Sequence, residues 1–204
     1  MTQLLLASRN RAKLDELRRI LAPLVPEVEV LGLDDVPAYD EPAETEPTFE
    51  NNALIKARVA VATTGLASLA DDSGICVDAL NGMPGVLSAR WSGVEKDNKR
   101  NNDLLLAQLR DVPDERRGAY FACAVAFCLP SGEEHVTTAK MQGVVIHDLR
   151  GSGGFGYDPL FVPSGYTRTT AELTVAEKDE ISHRGKALRA IAPLVAAKLR
   201  AAHS

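Results

Sequence analysis

The chain has 204 residues, of which 45% are hydrophobic and 25% charged, and it carries a formal net charge of −5. This length and composition are typical of a globular protein with one well-buried core, so we expect a single domain over residues 1–204. The negative charge argues against a general binder of nucleic-acid polymers, because such proteins need a basic surface to neutralise phosphates. A small anionic ligand is not excluded, since a few local cations are enough to bind it.

The three cysteines indicate a reducing compartment. Cys76, Cys123 and Cys128 lie in apolar segments, without a CxxC pair or a histidine at metal-ligand spacing, so we interpret them as buried thiols. No apolar run reaches membrane-spanning length, and no cationic segment precedes the short run at Leu4–Leu6. The sequence therefore predicts a cytoplasmic protein that does not enter a membrane.

The N-terminal segment predicts a strand followed directly by a helix. Gln3–Ala7 is a short apolar run, and leucines at helical spacing follow it. The first N–H groups of such a helix, together with Lys13, would suit a phosphate group. The segment lacks the G-x-x-x-x-G-K pattern of a P-loop. The alternative is that Arg9, Arg11 and Lys13 are only the solvated start of a helix.

The next segment combines a strand, an acidic loop and a helix. Val28–Leu31 predicts the strand, and residues 40–47 form a loop rich in Glu and Pro. Such a loop is usually solvated surface, but it can equally deliver one carboxylate to a metal ion. Thr48 predicts the N-cap of a helix over Phe49–Thr64, and Gly65 is well placed to end that helix.

Two adjacent carboxylates interrupt the apolar run 69–77. Asp71 and Asp72 repel each other, and burial would raise the pKa of at least one unless a cation compensates. Their hard oxygen atoms favour Mg²⁺ as that cation. The alternative is a β-turn at Asp71–Gly74, since Asp, Ser and Gly all favour turns. From this stretch alone the two interpretations weigh evenly.

The middle of the chain predicts a helix and a hairpin. Residues 97–110 have leucines at helical spacing. Residues 119–129 and 135–139 are two β-type runs separated by a turn, and 143–146 either extends the second run or starts another strand.

Residues 151–159 form the most glycine-rich stretch and include two aromatic rings. Glycine lets the backbone approach a ligand closely, so this loop suits the stacking of a flat base, while the alternative is a packed loop. Thr174 and Glu177 form a capping box that opens a short helix containing Lys178. Ser182–Gly185 breaks that helix before a final one begins.

Taken together, these segments resemble the inosine triphosphate pyrophosphatase-like family from Leu4 to about Leu199. The resemblance rests on motifs that occur in the family's order: Ser8-x-Asn10-x-x-Lys13, Glu44-Thr45, Thr48-Phe49-x-x-Asn52-Ala53, Ala70-Asp71-Asp72-Ser73-Gly74, Pro84-Gly85-x-x-Ser88-Ala89-Arg90, Gly153-Gly154-Phe155-Gly156-Tyr157-Asp158-Pro159 and Ile181-Ser182-His183-Arg184-Gly185.

The resemblance implies an enzyme that cleanses the nucleotide pool. Members hydrolyse non-standard purine nucleoside triphosphates, namely those of inosine, deoxyinosine and xanthosine, to the monophosphate and pyrophosphate, using Mg²⁺. It also implies an α/β fold, elongated and two-lobed, around a mixed and strongly bent β-sheet with flanking helices and a central nucleotide cleft. The family usually forms homodimers.

The resemblance also assigns roles residue by residue. Asp72 matches the proton acceptor, and Glu44 and Asp72 match the carboxylates linked to the metal ion. Asn51 departs from the pattern, because many members carry Glu there, which puts one metal ligand in doubt. The positions that match substrate contacts are Ser8, Asn10, Lys13, Ser73, Phe155, Gly156, Tyr157, Asp158, Lys178, His183 and Arg184.

Two other functional classes are compatible with the same motifs. A non-catalytic purine nucleotide sensor would keep the binding residues, but it would need neither a base such as Asp72 nor an attacking water. A phosphatase would release orthophosphate instead of pyrophosphate. The identity of the product formed from inosine triphosphate separates all three.

Overall fold

The computed structural model describes residues 2–9, 11–23, 25–26 and 28–201. The strands are β1 Thr2–Leu6, β2 Val28–Leu31, β3 Ser68–Val77, β4 Gly118–Cys128, β5 Glu134–Val145 and β6 Phe161–Pro163. The helices are α1 Arg11–Leu21, α2 Phe49–Thr64, α3 Asn98–Gln108, α4 Val175–Ile181 and α5 His183–Ala201. None of these helices is both long and apolar enough to cross a bilayer.

The strands form a mixed sheet in the order β2-β1-β3-β4-β5-β6. β1 pairs in parallel with both β2 and β3, whereas β5 and β6 pair antiparallel. Helices pack against this sheet, as the core clusters below show. The predicted α/β class is confirmed.

The chain divides into two compact units, whose boundaries fall inside β3, β4 and β5 and at the start of α5. Unit 1 comprises Met1–Asp72, Cys123–Ala139 and Arg184–Ser204. Unit 2 comprises Ser73–Ala122 and Lys140–His183. The division into compact units does not test the expected single domain over residues 1–204, which stays a prediction.

Unit 1 has a hydrophobic core on each face of its part of the sheet. Leu4 and Leu6 of β1 pack with apolar residues of α1 and α5. Leu5 and Ala7 belong to a second cluster, which includes the alanines of α2. Successive strand residues point to opposite faces, so β1 contributes to both cores.

Helix α2 begins and ends where its sequence signals predict. Thr48 Oγ1 accepts a hydrogen bond from the Asn51 backbone N–H at 3.2 Å. Gly65 has φ +71°, a left-handed conformation that glycine adopts without steric cost, and its N–H bonds the Val61 carbonyl. The predicted N-cap and stop signals are both confirmed.

The turn interpretation of Asp71–Gly74 is wrong, because β3 runs through these residues without a break. The carboxylates lie in the interior of the strand and not at its end. The turn preference of Asp, Ser and Gly is local, and pairing of β3 within the sheet overrides it. Close packing explains the glycine at position 74, since a Cβ there would collide with the Gly85 carbonyl and the Ser88 hydroxyl.

Unit 2 has one core, to which β3, α3, β4, β5 and the segment 157–161 contribute. β5 continues to Val145, so residues 143–145 extend the hairpin strand. The capping box of Thr174 and Glu177 opens α4 as predicted. The break predicted over Ser182–Gly185 is wrong for His183–Gly185, which begin α5, because the extended backbone of Ser182, with ψ 149°, is enough to separate the two helices. The cysteines are buried free thiols, as expected.

Candidate active site

Asp71 and Asp72 face opposite sides of the sheet because they are successive residues of β3. Leu69, two residues before Asp71, belongs to the core that includes α1 and α5. Ala70, two residues before Asp72, belongs to the core that includes α2. Each carboxylate therefore meets the charged residues of a different set of helices.

Asp71 is held by two cations in unit 1. Its Oδ2 accepts from Lys13 Nζ at 2.8 Å and from Arg184 Nε at 3.2 Å. Arg184 also donates from Nη1 to Glu16 Oε2 at 2.9 Å, and its side chain is only 7% exposed. Burial by itself would raise the pKa of Asp71, but Lys13 and Arg184 outweigh it and hold that pKa well below its usual range. Asp71 is thus an ionised counter-ion of Lys13 and Arg184.

The pKa of Asp72 moves the other way. Burial raises it to about 6, and the charges of Glu44 and Asp71 act in the same direction against Lys56 and Lys13. Lys56 Nζ lies 2.8 Å from Glu44 Oε1 and 3.9 Å from Asp72 Oδ1, so one ammonium lies near both carboxylates. A carboxyl group that titrates near neutral pH is suited to accept a proton.

The acidic loop is fixed to α2 and to the segment after β1. The Asn52 amide is fully buried, accepts from Glu46 N at 3.0 Å and donates to Glu46 O at 3.2 Å, much as a neighbouring strand would. Arg9 donates to Glu41 Oε1 at 2.6 Å. These anchors place Glu44 beside Lys56.

The residues around Asp72 fit a magnesium ion. Among the residues that the structure describes, no group of three or more His, Cys, Asp or Glu side chains is arranged to hold a metal ion. Mg²⁺ usually needs only one or two protein carboxylates, together with substrate phosphates. Glu44 and Asp72 meet that requirement, since both carboxylates lie near the same ammonium, that of Lys56.

The glycine-rich loop of unit 2 is built around the Asp158 carboxylate. Its Oδ2 accepts from the Phe155 N–H at 2.8 Å and pairs with Lys178 Nζ, while Oδ1 accepts from Thr170 Oγ1 at 2.8 Å. Gly154 has φ +69°, and a Cβ there would collide with Asp158, so this position requires glycine. The Asp158 carboxylate thus fixes the loop backbone at Phe155 and connects the loop to Thr170 and Lys178.

The two aromatic rings of this loop have different environments. The Phe155 residue is 42% exposed, and Lys178 Nζ lies 5.2 Å from the ring centroid. Tyr157 is buried, and its hydroxyl donates to the Ser88 carbonyl at 2.8 Å. Phe155 is therefore the ring available for stacking, whereas Tyr157 supports the loop.

The remaining predicted site residues are placed as follows. Ser8 follows β1 and is partly buried, and Ser73 is the partly buried residue of β3 next to Asp72. His183 is buried in unit 2 and stacks on the Phe121 ring at 4.9 Å between centroids. Asn10 lies outside the described residues.

Sequence reasoning missed several residues that position the site. Lys56 and Glu16 have charged side chains that are buried against Glu44 and Arg184. Asn101 and Asn102 connect α3 to two loops, as described below. The sequence did contain a signal for this pair. Asparagine has low helix propensity, so two adjacent asparagines inside a helix indicate a role other than helix formation.

A family model described as the Ham1 family matches residues 4–194. The chain belongs to the Ham1 family. All the motifs that predicted the family, from Ser8 to Gly185, lie within the matched residues. The expected family membership is thereby confirmed.

Relatives of this Ham1 chain are similar over nearly their whole length. A dITP/XTP pyrophosphatase of Nocardia farcinica is 60% identical over 198 residues, which are 97% of this chain and 96% of the relative. A solved structure titled nucleoside-triphosphatase / dITP/XTP pyrophosphatase, from Mycobacterium abscessus, is 57% identical with a TM-score of 0.79, covering 94% of this chain and 100% of its own. The Staphylococcus aureus Ham1 protein is 33% identical with a TM-score of 0.86, covering 97% and 100%.

Proposed function

We propose that this Ham1-family chain hydrolyses non-standard purine nucleoside triphosphates, those of inosine, deoxyinosine and xanthosine, to the monophosphate and pyrophosphate. The observation that carries the proposal is the pair Asp71 and Asp72, in which one carboxylate is locked by cations and the other has a pKa of about 6. The dITP/XTP pyrophosphatases named among the relatives support the same reaction.

The residues of unit 1 suit attack by water on the α-phosphorus. Lys13, near the start of α1, offers an ammonium to phosphate oxygens at a helix end that already favours anions. Asp71 holds this ammonium in place. Asp72 accepts the proton of the attacking water, and pyrophosphate leaves. A magnesium ion held by Glu44 and Asp72 would neutralise charge on the phosphate oxygens.

Several residues between Phe155 and Arg184 suit the purine base. Phe155 offers an exposed ring for stacking, and Lys178 adds a positive charge beside it. A donor from His183 or Arg184 would bind a 6-oxo group and would oppose the 6-amino group of adenine. Arg184 also donates to Asp71 and Glu16, so it helps to hold Asp71 in place as well.

The alternatives receive less support. A sensor needs no proton acceptor, yet Asp72 has a pKa suited to that role. The names of the relatives also favour a pyrophosphatase over a sensor. The Mg²⁺ requirement is supported by the two carboxylates near Lys56. A homodimer is supported by the family resemblance, and a cytoplasmic location by the free thiols.

Phosphorus NMR of the reaction with inosine triphosphate tests this proposal. We expect inosine monophosphate and pyrophosphate to form together in one step. Transient inosine diphosphate with orthophosphate would show attack at the γ-phosphorus and would favour the phosphatase. Binding without any product would favour the sensor.

A further inference from the structure

We propose that Asn102 is a positioning residue, which fixes the glycine-rich loop so that Phe155 can stack on the purine, at the expense of folding stability. The link to the purine rests on the proposed function. That Asn102 holds the loop, and that it lowers folding stability, does not depend on the proposed function.

Asn102 reaches the loop from helix α3. Its side chain is buried, and Nδ2 donates to the Gly156 carbonyl at 3.0 Å. Gly156 directly follows Phe155 and has φ +63°. On the other side, the Phe155 N–H is bound to Asp158. The backbone of Phe155 is thus held from both directions.

The same amide leaves a buried acceptor without a partner. Because Nδ2 must face the Gly156 carbonyl, the orientation of the amide is fixed and Oδ1 points elsewhere. Within the described part of the chain, Asn102 Oδ1 is fully buried and has no hydrogen-bond partner. A buried acceptor in this state destabilises the fold. Folding alone therefore does not favour asparagine at this position.

The neighbouring Asn101 is different and provides a control. It is equally buried, but Oδ1 accepts from the Ser92 N–H and from Ser92 Oγ, each at 2.7 Å. Its Nδ2 donates to the Ala89 carbonyl at 3.0 Å. Both ends of this amide are satisfied, so Asn101 contributes to stability in the ordinary way.

The loop needs an external anchor because of its composition. Gly154 and Gly156 both have positive φ and would gain much conformational freedom if released. Without the Asn102 donor, the Gly156 carbonyl would exchange its bond for water, and Phe155 would sample more positions. A less ordered ring binds the base more weakly, because ordering it then takes part of the binding free energy.

Comparison of Asn102→Leu with Asn101→Leu tests the proposal. Leucine has a similar volume. At position 102 it removes both the donor to the Gly156 carbonyl and the unpaired acceptor Oδ1. We expect Asn102→Leu to keep or raise Tm, and Asn101→Leu to lower it by several degrees. For inosine triphosphate, Asn102→Leu should raise KM about tenfold and leave kcat within about twofold.

Hydrogen–deuterium exchange without nucleotide gives a second readout. We expect Asn102→Leu to speed exchange at Phe155 and Asp158 while the amides of α3 stay as in the wild type. An inactive wild type would contradict the proposed function, whereas the exchange data would still decide whether Asn102 holds the loop. The proposal is overturned if KM in an active enzyme is unchanged, if loop exchange is unchanged, or if Asn102→Leu loses as much Tm as Asn101→Leu or fails to fold.

Discussion

Asp71 and Asp72 are adjacent on one buried strand, yet their pKa values move in opposite directions. The pKa of Asp71 is held far below its usual range, and that of Asp72 is raised to about 6. β3 directs Asp71 to the cations Lys13 and Arg184, which lower its pKa, whereas burial raises the pKa of Asp72, which lies on the opposite face beside Glu44 and Lys56. Like charges separated in this way can take different roles in one reaction.

Arg184→Ala should change base selectivity. It removes a donor that would bind a 6-oxo group, so the ratio of kcat/KM for inosine triphosphate to that for adenosine triphosphate should fall about tenfold, the scale of one hydrogen bond. Activity on both substrates should also fall, because Asp71 loses a partner. Steady-state kinetics with both nucleotides provides the ratio. An unchanged ratio would place base recognition elsewhere, with His183 the next candidate.

Arg117→Met should destabilise unit 2 strongly. The Arg117 guanidinium is buried and donates to the carbonyls of Leu109, Val145 and Ile146 at 2.7 to 3.1 Å. Methionine removes the guanidinium donors of all three carbonyls, of which the Leu109 carbonyl keeps its bond from the Val112 N–H, so we expect a loss of about 3 kcal/mol in the free energy of unfolding. Urea unfolding followed by circular dichroism measures it.

The neighbouring Arg116 is the control for that experiment, because it is exposed. Arg116→Met should change the free energy of unfolding by less than about 0.5 kcal/mol. Equal effects of the two substitutions would show that the bonds of Arg117 contribute little.

Thr174→Ala should weaken the start of helix α4, which carries Lys178. Thr174 Oγ1 accepts from the Glu177 N–H at 3.3 Å and donates to Glu177 Oε2 at 2.9 Å, and alanine removes both bonds. Loss of such a cap typically costs about 1 kcal/mol. Thermal unfolding at neutral pH measures the loss, and an unchanged Tm would show that the cap contributes nothing here.

The Tm difference between wild type and Thr174→Ala should depend on pH because of Glu177. Hydrogen bonds from Arg168 and then from the backbone and hydroxyl of Thr174 lower its pKa to about 2, and Thr174→Ala removes the hydroxyl bond. A carboxylate with a lowered pKa stabilises the folded state above its unfolded pKa and loses this contribution as the pH falls toward the folded value. The Tm difference between wild type and Thr174→Ala should therefore shrink below about pH 4.5. A difference that grows on acidification would contradict this account.

The sequence predicted the elements that depend on local signals and missed the contacts that depend on distant ones. Thr48 and Gly65 lie at the ends of α2, so the helix bounds followed from them. The strand at Asp71–Gly74 could not be separated from a turn, because its pairing partners lie elsewhere in the chain. Arg184 meets Glu16 across 168 residues, and Asn102 meets Gly156 across 54, and no local pattern marks either pair.

For the candidate site, too, the sequence indicated individual residues but not their contacts. The motifs named Asp72, Lys13 and Phe155, because each has a residue type that its chemistry requires. They did not show that Asp71 is a fixed counter-ion, since that depends on two cations brought together by α1 and α5. They also did not show which of the two rings in the glycine-rich loop is exposed.

The central claim is that Asp72 is the proton acceptor, and the turnover of Asp72→Asn across a Mg²⁺ titration tests it most directly. Asparagine keeps the shape and removes the charge, so folding should survive. We expect kcat to fall by about 10² to 10⁴ at every Mg²⁺ concentration, with KM little changed. Recovery of activity at high Mg²⁺ would instead assign Asp72 mainly to metal binding. Turnover near that of the wild type at ordinary Mg²⁺ would contradict the account and remove Asp72 from the active site.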